Sequence, residues 1–271
     1  MDDLYRQIFS RNLGFLTEAE QEKLSNATVG IMGLGSVGGL LTERLVRLGI
    51  GRLKLGETVP FEIGSLNSEF GSSMRTVGKN KAQILLEELK DINPNVRIDC
   101  TLVPLAEDGD AVSFARKCDI VINAMQLGSF KESIMLQRAA RRNGAYYAMA
   151  SAIGFGALAV VFEPAGLTLE EYNGFASNVP LDSDFSIPFD KLCPVLPSYL
   201  NESLKAQRAR QAIALGEIPE SSNSIGVGLA AILATHEVMN LLLRKREPVI
   251  APNYTYVDLL DLKIMVGNIF A

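Results

Sequence analysis

The sequence Val29-Gly30-Ile31-Met32-Gly33-Leu34-Gly35-Ser36-Val37-Gly38-Gly39 decides the fold, because an apolar strand pattern passes directly into glycines with G-x-G-x-x-G spacing. Gly33, Gly35 and Gly38 suit a tight turn from strand to helix, since such a turn needs backbone angles closed to other residues. A helix predicted at 40–48 would aim its free N–H groups and the positive end of its dipole at a phosphate. The stretch therefore predicts a nucleotide-binding turn.

The residues after this turn strengthen that interpretation. A second strand is predicted at 52–55, and Glu57 lies 19 residues past Gly38. A carboxylate at about this distance hydrogen-bonds the ribose in dinucleotide-binding folds. The pattern of strand, glycine turn, helix, strand and acid is typical of a Rossmann-like unit.

Composition limits the classes of function. The 271 residues carry a net charge of −5, which argues against nucleic acid as a partner because phosphate-backbone binding needs a concentrated basic surface. The three cysteines lack C-x-x-C spacing, and the N-terminus lacks a basic segment followed by an apolar one. We therefore expect a cytoplasmic protein without disulfides or zinc, in which Cys100 and Cys118 are small buried hydrophobic residues. The apolar stretch 228–243 contains polar residues, so we expect a core helix and no membrane partner.

Strand and helix patterns alternate along the first half of the chain and predict a doubly wound, mainly parallel α/β sheet. A helical arm is expected at 1–25, in which Thr17 and Glu20 form a capping box for a helix through Glu22 and Leu24. A nucleotide-binding half is expected at 26–150, and an α+β lobe for substrate and dimer contacts at 151–271. The lobe includes a crossover segment at 173–197, and it completes the same single domain. The predicted helices are 5–25, 40–48, 79–91, 111–117, 131–143, 199–215 and 223–243, and the predicted strands are 28–32, 52–55, 96–102, 119–124 and 145–150, followed by the apolar run 157–162 and two terminal strands within 254–266.

Several motifs in the same order resemble the ThiF/MoeB/HesA adenylyltransferases and ubiquitin-activating enzymes. The resemblance runs from the arm to about Phe162 and resumes at 222–244. The sequence segments that carry it are Tyr5-Arg6-Gln7-Ile8, the glycine turn, Leu48-Gly49-Ile50-Gly51-Arg52-Leu53, Val77-Gly78-Lys79-Asn80-Lys81-Ala82, Ile92-Asn93-Pro94, Gly226-Val227-Gly228 and Ala234-Thr235-His236-Glu237-Val238.

The resemblance implies that ATP, with magnesium, is used to attach AMP to a carboxylate of a protein, peptide or small molecule. It places Lys81 at the phosphates and Glu57 at the ribose. It also implies that Arg6 extends into the nucleotide site of a partner subunit. A homodimer, or a heterodimer with an active homologue, follows from the same resemblance. The residues expected to bind the nucleotide are Gly33, Gly35, Ser36, Gly38, Glu57, Lys81 and Gln126, and those expected in catalysis are Lys81 and Arg6.

Departures from the family pattern fall on charged and hydrogen-bonding residues. Where the family has D-x-D-x-(V/T)-x-x-S-N-L-N-R-Q, this chain has Glu57 first, Val59 for the second acid, Ser65 for asparagine, Ser68 for arginine and Glu69 for glutamine. Serine cannot replace the cationic fork of arginine, and Glu69 adds negative charge beside the phosphates. Where a later aspartate of the family assists magnesium, the chain has Gln126.

Three hypotheses remain open. The first is a non-catalytic or reduced-activity relative that keeps a dimeric scaffold and nucleotide binding. The second is an active adenylyltransferase in which Glu57, Glu62, Glu69 or Asp119 replaces the missing acids. The third is an NAD(P)-dependent oxidoreductase that uses the glycine turn, although no cleft histidine for hydride transfer is visible in the sequence.

Overall fold

The computed structural model describes residues 3–102, 104–183, 185, 189–217 and 220–271. Within these residues, eight strands form one sheet in the order β3-β2-β1-β4-β5-β6-β7-β8. The strands are β1 (Thr28–Met32), β2 (Arg52–Gly56), β3 (Arg97–Thr101), β4 (Ile120–Asn123), β5 (Tyr146–Ile153), β6 (Gly156–Phe162), β7 (Asn253–Asp258) and β8 (Lys263–Asn268).

The first five strands pair in parallel, and the last three are added antiparallel. This mainly parallel sheet confirms the predicted Rossmann-like α/β class. Ser151, where the second half was expected to begin, lies inside β5, so the sheet runs without a break from one half to the other.

Helices cover both faces of the sheet, as a doubly wound fold requires. The long helices α3 and α11 pack on one face with α4, and α5 and α6 pack on the other. The helices are α1 (Asp3–Ile8), α2 (Glu18–Asn26), α3 (Ser36–Leu48), α4 (Lys81–Ile92), α5 (Asp108–Ala115), α6 (Phe130–Arg142), α7 (Leu169–Tyr172), α8 (Phe189–Leu192), α9 (Glu202–Lys205), α10 (Gln207–Ala214) and α11 (Ser224–Leu243), with 3₁₀ turns at Ser10–Asn12 and Ile63–Asn67.

Helix α11 combines high hydropathy with burial in the fold. Its 20 residues are long and apolar enough to cross a membrane, in spite of the polar residues that the sequence places there. It contacts α3, β5 and β6, and 56 % of its most apolar 18-residue stretch is buried. Apolar character on all sides is what a helix in the core of a large protein needs.

Three predictions about local structure were wrong, each for an identifiable reason. The arm is not one helix, because Gly14 has a φ of +112° and separates α1 from α2. The polar helix expected at 199–215 is two short helices, because Ala206 is extended. Cys100 is exposed, since β3 is an edge strand with one neighbour, whereas Cys118 is buried as expected.

The described part of the crossover segment is packed against the body of the protein. Phe175 and Phe185 lie edge to face with ring centroids 5.5 Å apart, and both contact Phe130 at the start of α6. Such aromatic packing contributes beyond simple burial. Asp184 and residues 186–188 of the segment lie outside the described residues.

A buried carboxylate fixes the chain just beyond this segment. Asp258, at the end of β7, accepts hydrogen bonds from the hydroxyls of Tyr199 and Tyr256, both at 2.7 Å. Its other oxygen accepts from the N–H groups of Leu260 and Asp261, both at 2.9 Å. Burial raises the pKa of Asp258, but these hydrogen bonds outweigh burial and leave the pKa below its ordinary value.

We expect Asp258→Asn to lower the free energy of unfolding by about 2 kcal/mol at pH 7, because the amide cannot accept all four hydrogen bonds. Since the folded pKa of Asp258 is lowered, its stabilising contribution is complete above the unfolded pKa and is lost as the pH falls through the folded value. Urea unfolding between pH 7 and pH 3 should therefore show the two proteins converging below about pH 4. Asp261→Asn, whose side chain is exposed, is the control. A difference between wild type and Asp258→Asn that does not vary with pH would contradict the assignment.

Candidate functional site

The glycine turn closes on itself and on the end of β4. Gly33 has a φ of +93°, and its N–H donates to the Gly56 carbonyl oxygen at 2.8 Å. A Cβ on Gly33 would overlap the Ala124 carbonyl group, and a Cβ on Gly38 would overlap the Gly33 carbonyl oxygen. Both glycines are therefore required by packing.

Gly35 has a different role in the turn. A Cβ there would meet only a Glu69 carboxylate oxygen, at 3.7 Å. Gly35 is the N-cap of α3, and no side chain caps this helix end. The helix therefore begins earlier than predicted, at Ser36, and its first N–H groups remain available to an anionic ligand.

Glu57 lies beside the turn, where the sequence predicted an acid. One carboxylate oxygen accepts from the Leu34 N–H at 3.0 Å, and the other accepts from the N–H groups of Thr58 at 2.7 Å and Val59 at 3.1 Å. Three backbone donors thus fix the carboxylate at the carboxyl end of β2. Its role at a ribose stays a prediction.

Lys81 and Glu69 form a nearly buried ion pair beside the turn. The Lys81 ammonium group lies 2.9 Å and 3.2 Å from the two carboxylate oxygens of Glu69, and the side chains are 8 % and 13 % exposed. Lys81 begins α4, which Asn80 caps, and its ammonium nitrogen lies 5.9 Å from the centre of the Phe61 ring. The lysine expected to face the phosphates is therefore neutralised from within the chain.

Ser68 occupies the same edge of the site. Its hydroxyl lies 3.0 Å from the hydroxyl of Ser36, in the first turn of α3. The segment in which the family arginine is replaced therefore does contact the glycine turn. Two neutral hydroxyls stand where the resemblance implies a cation.

The loop after β4 forms the opposite side of the site. Ala124 lies against Gly33, and Gln126 is exposed two residues later. The next N–H, that of Leu127, donates to a carboxylate oxygen of Glu220 at 2.9 Å. Nearby, the Asn67 side-chain amide donates to the Ser222 carbonyl oxygen at 3.0 Å.

Glu220 was not predicted from the sequence, since it follows a turn region without a recognisable motif. Burial raises its pKa, and the hydrogen bond from Leu127 only partly opposes this shift. Within the described ranges, no group of three or more histidine, cysteine, aspartate or glutamate side chains is placed to hold a metal ion.

Arg6 is not brought to this site within one chain. It is exposed on α1, whose Tyr5 hydroxyl donates to the Gly49 carbonyl oxygen at 2.6 Å. Gly49 follows the last residue of α3, so α1 contacts the end of a 13-residue helix, about 20 Å long, that is opposite to the glycine turn. The structure brings together the remaining predicted residues, namely Gly33, Gly35, Ser36, Gly38, Glu57 and Lys81, with Gln126 on the neighbouring loop.

Comparisons with known proteins agree with this architecture. The model of the ThiF family matches residues 9–269. The tRNA threonylcarbamoyladenosine dehydratase of Bacillus subtilis is 30 % identical over 127 residues, which are 47 % of this chain and 50 % of that protein. The sulfur carrier protein adenylyltransferase of Thermus thermophilus is 29 % identical over 124 residues, covering 46 % of this chain and 44 % of that protein. The matches thus span half or less of these relatives.

Among solved structures, the crystal structure of Escherichia coli MccB with ATP resembles the whole fold. It superposes with a TM-score of 0.73 at 18 % identity, over 99 % of this chain and 74 % of that protein. At this level of identity the similarity concerns the fold alone.

Proposed function

Because the chain belongs to the ThiF family, we propose that it is an ATP-binding, adenylyltransferase-like protein in which carboxylate adenylation is reduced, and that it acts mainly as a binding or partner subunit. The observation that carries the proposal is the ion pair between Lys81 and Glu69. An adenylation site gathers cations around the phosphates, because negative charge must be dispersed in the transition state. Here the available cation is held by a carboxylate that faces the glycine turn.

The residues at the turn fit ATP as a ligand. The uncapped start of α3 offers backbone donors to the phosphates, and Gly35 leaves space for a close approach. Glu57, whose carboxylate is held by three backbone N–H groups, would accept hydrogen bonds from the ribose hydroxyls. ATP, when bound, would supply the α-phosphorus that a carboxylate oxygen attacks, with pyrophosphate as the leaving group.

An active adenylyltransferase is the second candidate, and Glu220 favours it. This carboxylate reaches the loop that carries Gln126, where the family places an acid that assists magnesium. Glu220 could therefore replace the missing aspartate from a distant part of the chain, and it joins the four acids considered from the sequence.

The partners follow from the same proposal. We expect a peptide or a small carboxylate as the second ligand beside ATP. We also expect a second subunit, identical or homologous, whose nucleotide is contacted by Arg6 of this chain. The proposed location is the cytoplasm. Tight NADH binding without ATP binding would replace this proposal by the oxidoreductase hypothesis.

The test compares ATP binding with chemistry. Calorimetry should detect ATP binding, while exchange of pyrophosphate into ATP with candidate carboxylates should remain near background. The double substitution Ser68→Arg and Gln126→Asp should raise exchange by about 100-fold or more, since single electrostatic groups of this kind are each typically worth on the order of 10²–10³ in rate.

The matched control is Ser68→Lys with Gln126→Asn, which adds a cation without the planar fork and adds no acid. It should raise exchange far less than the first pair. Vigorous exchange by the unaltered protein would favour the second candidate, and absence of ATP binding would overturn both.

A further inference from the structure

A polar cavity lies at the amino ends of the parallel strands, away from the glycine turn. Its volume is about 270 Å³. Arg52 and Arg97 are the first residues of β2 and β3, whereas the glycine turn follows the carboxyl end of β1. The cavity is therefore at the opposite edge of the sheet from the proposed ATP site. The lining residues are Tyr5, Ser25, Asn26, Gly51, Arg52, Asn93, Asn95 and Arg97.

Two arginine residues line this cavity. Arg52 and Arg97 are register partners in the parallel β2–β3 pair, so their side chains leave the sheet on the same face. In the part of the chain that the structure describes, neither guanidinium group has a carboxylate within 4 Å. Two neighbouring like charges without a counter-ion favour binding of an anion.

Asn93 adds a neutral donor at the most buried part of the lining. The residue is 1 % exposed, and its side-chain oxygen accepts from the Asn95 N–H at 3.1 Å. This contact fixes the orientation of the amide, and it leaves the Nδ2 donor without a hydrogen-bond partner among the described residues. A buried donor without a partner destabilises the fold, and an acceptor on a ligand would remove this cost.

Two acidic residues, Asp119 and Asp99, do not serve as counter-ions for Arg52 and Arg97. Asp119 precedes β4, but one of its oxygens accepts from the Thr28 N–H at 2.8 Å, and Asp119 does not line the cavity. Asp99 lies two residues further along β3, opposite Lys54. Among the described residues that line the cavity, the charged ones are Arg52 and Arg97, and both are cationic.

We propose that this cavity is a second ligand site, which binds an oxyanion group, phosphate or carboxylate, of a small organic molecule. Arg52 and Arg97 hold the charged oxygens, and Asn93 donates to an oxygen at the floor. The volume exceeds that of a bare oxyanion, so the ligand carries further atoms beyond its charged group. The inference does not depend on ATP binding at the glycine turn.

The test uses inorganic phosphate and acetate as separate probes, titrated into the full chain labelled with ¹⁵N. We expect amide shifts at Asn93, Asn95 and Arg97 that saturate with at least one probe, and the stronger probe distinguishes phosphate from carboxylate ligands. Arg52→Gln with Arg97→Gln should weaken this binding by at least about tenfold, as expected for the loss of two charge-assisted contacts. Arg116→Gln with Arg208→Gln removes the same charge from exposed positions and should change nothing.

The single substitution Arg97→Gln, at an exposed position, should weaken binding of the anion probe about threefold or more. It provides the readout if the double variant does not fold. Shifts confined to Gly35 and the first turn of α3 would overturn the inference, because they would place the anion at the nucleotide site. Absence of any saturating shift at Asn93–Arg97 would overturn it as well. Neither result would exclude ATP binding.

Discussion

Glu69→Gln is expected to tighten ATP binding by about tenfold. The substitution removes the negative charge that pairs with Lys81 and lies against Gly35. The Glu69 carboxylate repels a phosphate group bound at the turn. With an effective dielectric constant of about 20, two unit charges about 6 Å apart repel each other by roughly 3 kcal/mol, and salt screening reduces this value. Isothermal titration calorimetry of wild type and variant at two salt concentrations measures the effect, which should shrink at high salt.

The control for charge is Glu88→Gln, an exposed position on the same helix as Lys81. It alters net charge equally and should leave ATP affinity unchanged. Adding Lys81→Ala to Glu69→Gln should abolish the gain, because the released ammonium group is its cause. If Glu69→Gln bound ATP no better than wild type, the ion pair would not be the element that limits the site.

Gly38→Ala is expected to weaken ATP binding by at least about 100-fold, since displacing a binding loop by about 1 Å has effects of this size. The added Cβ would overlap the Gly33 carbonyl oxygen and lie 3.0 Å from the Ala124 Cβ. The turn must open to accept it. Overpacking of this kind should also lower the free energy of unfolding by about 1–3 kcal/mol, which chemical denaturation measures alongside calorimetry.

Gly228→Ala is the matched control, because it makes the same change inside α11 with no atom within 4 Å of the new Cβ. Alanine is favoured over glycine within a helix by roughly 0.5–1 kcal/mol. We therefore expect unchanged ATP affinity and slightly higher stability. Full ATP affinity in a folded Gly38→Ala protein would show that the turn does not hold the phosphates.

The elements around the glycine turn were predictable because their signals are local. β1 has the predicted bounds, and Thr17 and Glu20 form the predicted capping box at the start of α2. Each depends on residues close in sequence, where apolar periodicity and capping chemistry are informative. Two terminal strands around Leu260 and Asp261 were found for the same reason.

The electrostatic state of the site was only partly predictable. The sequence shows that Ser68 stands in place of the family arginine and Glu69 in place of glutamine. The direct pairing of Glu69 with Lys81, however, depends on how the loop before α4 folds back. Glu220 reaches its position through tertiary structure alone. Pairings between distant residues have no periodic signal, so side-chain partners at the site required the structure.

Two hydrogen bonds beside the site, described above, also constrain the order of folding. The Asn67–Ser222 contact joins residues 155 positions apart, and the Leu127–Glu220 contact joins residues 93 positions apart. Closing such long loops costs chain entropy before any contact repays it. By contrast, β1, α3 and β2 follow one another directly in the chain. The β1–α3–β2 unit that carries the glycine turn can therefore form early during synthesis, whereas these two hydrogen bonds form only after the last third of the protein has folded.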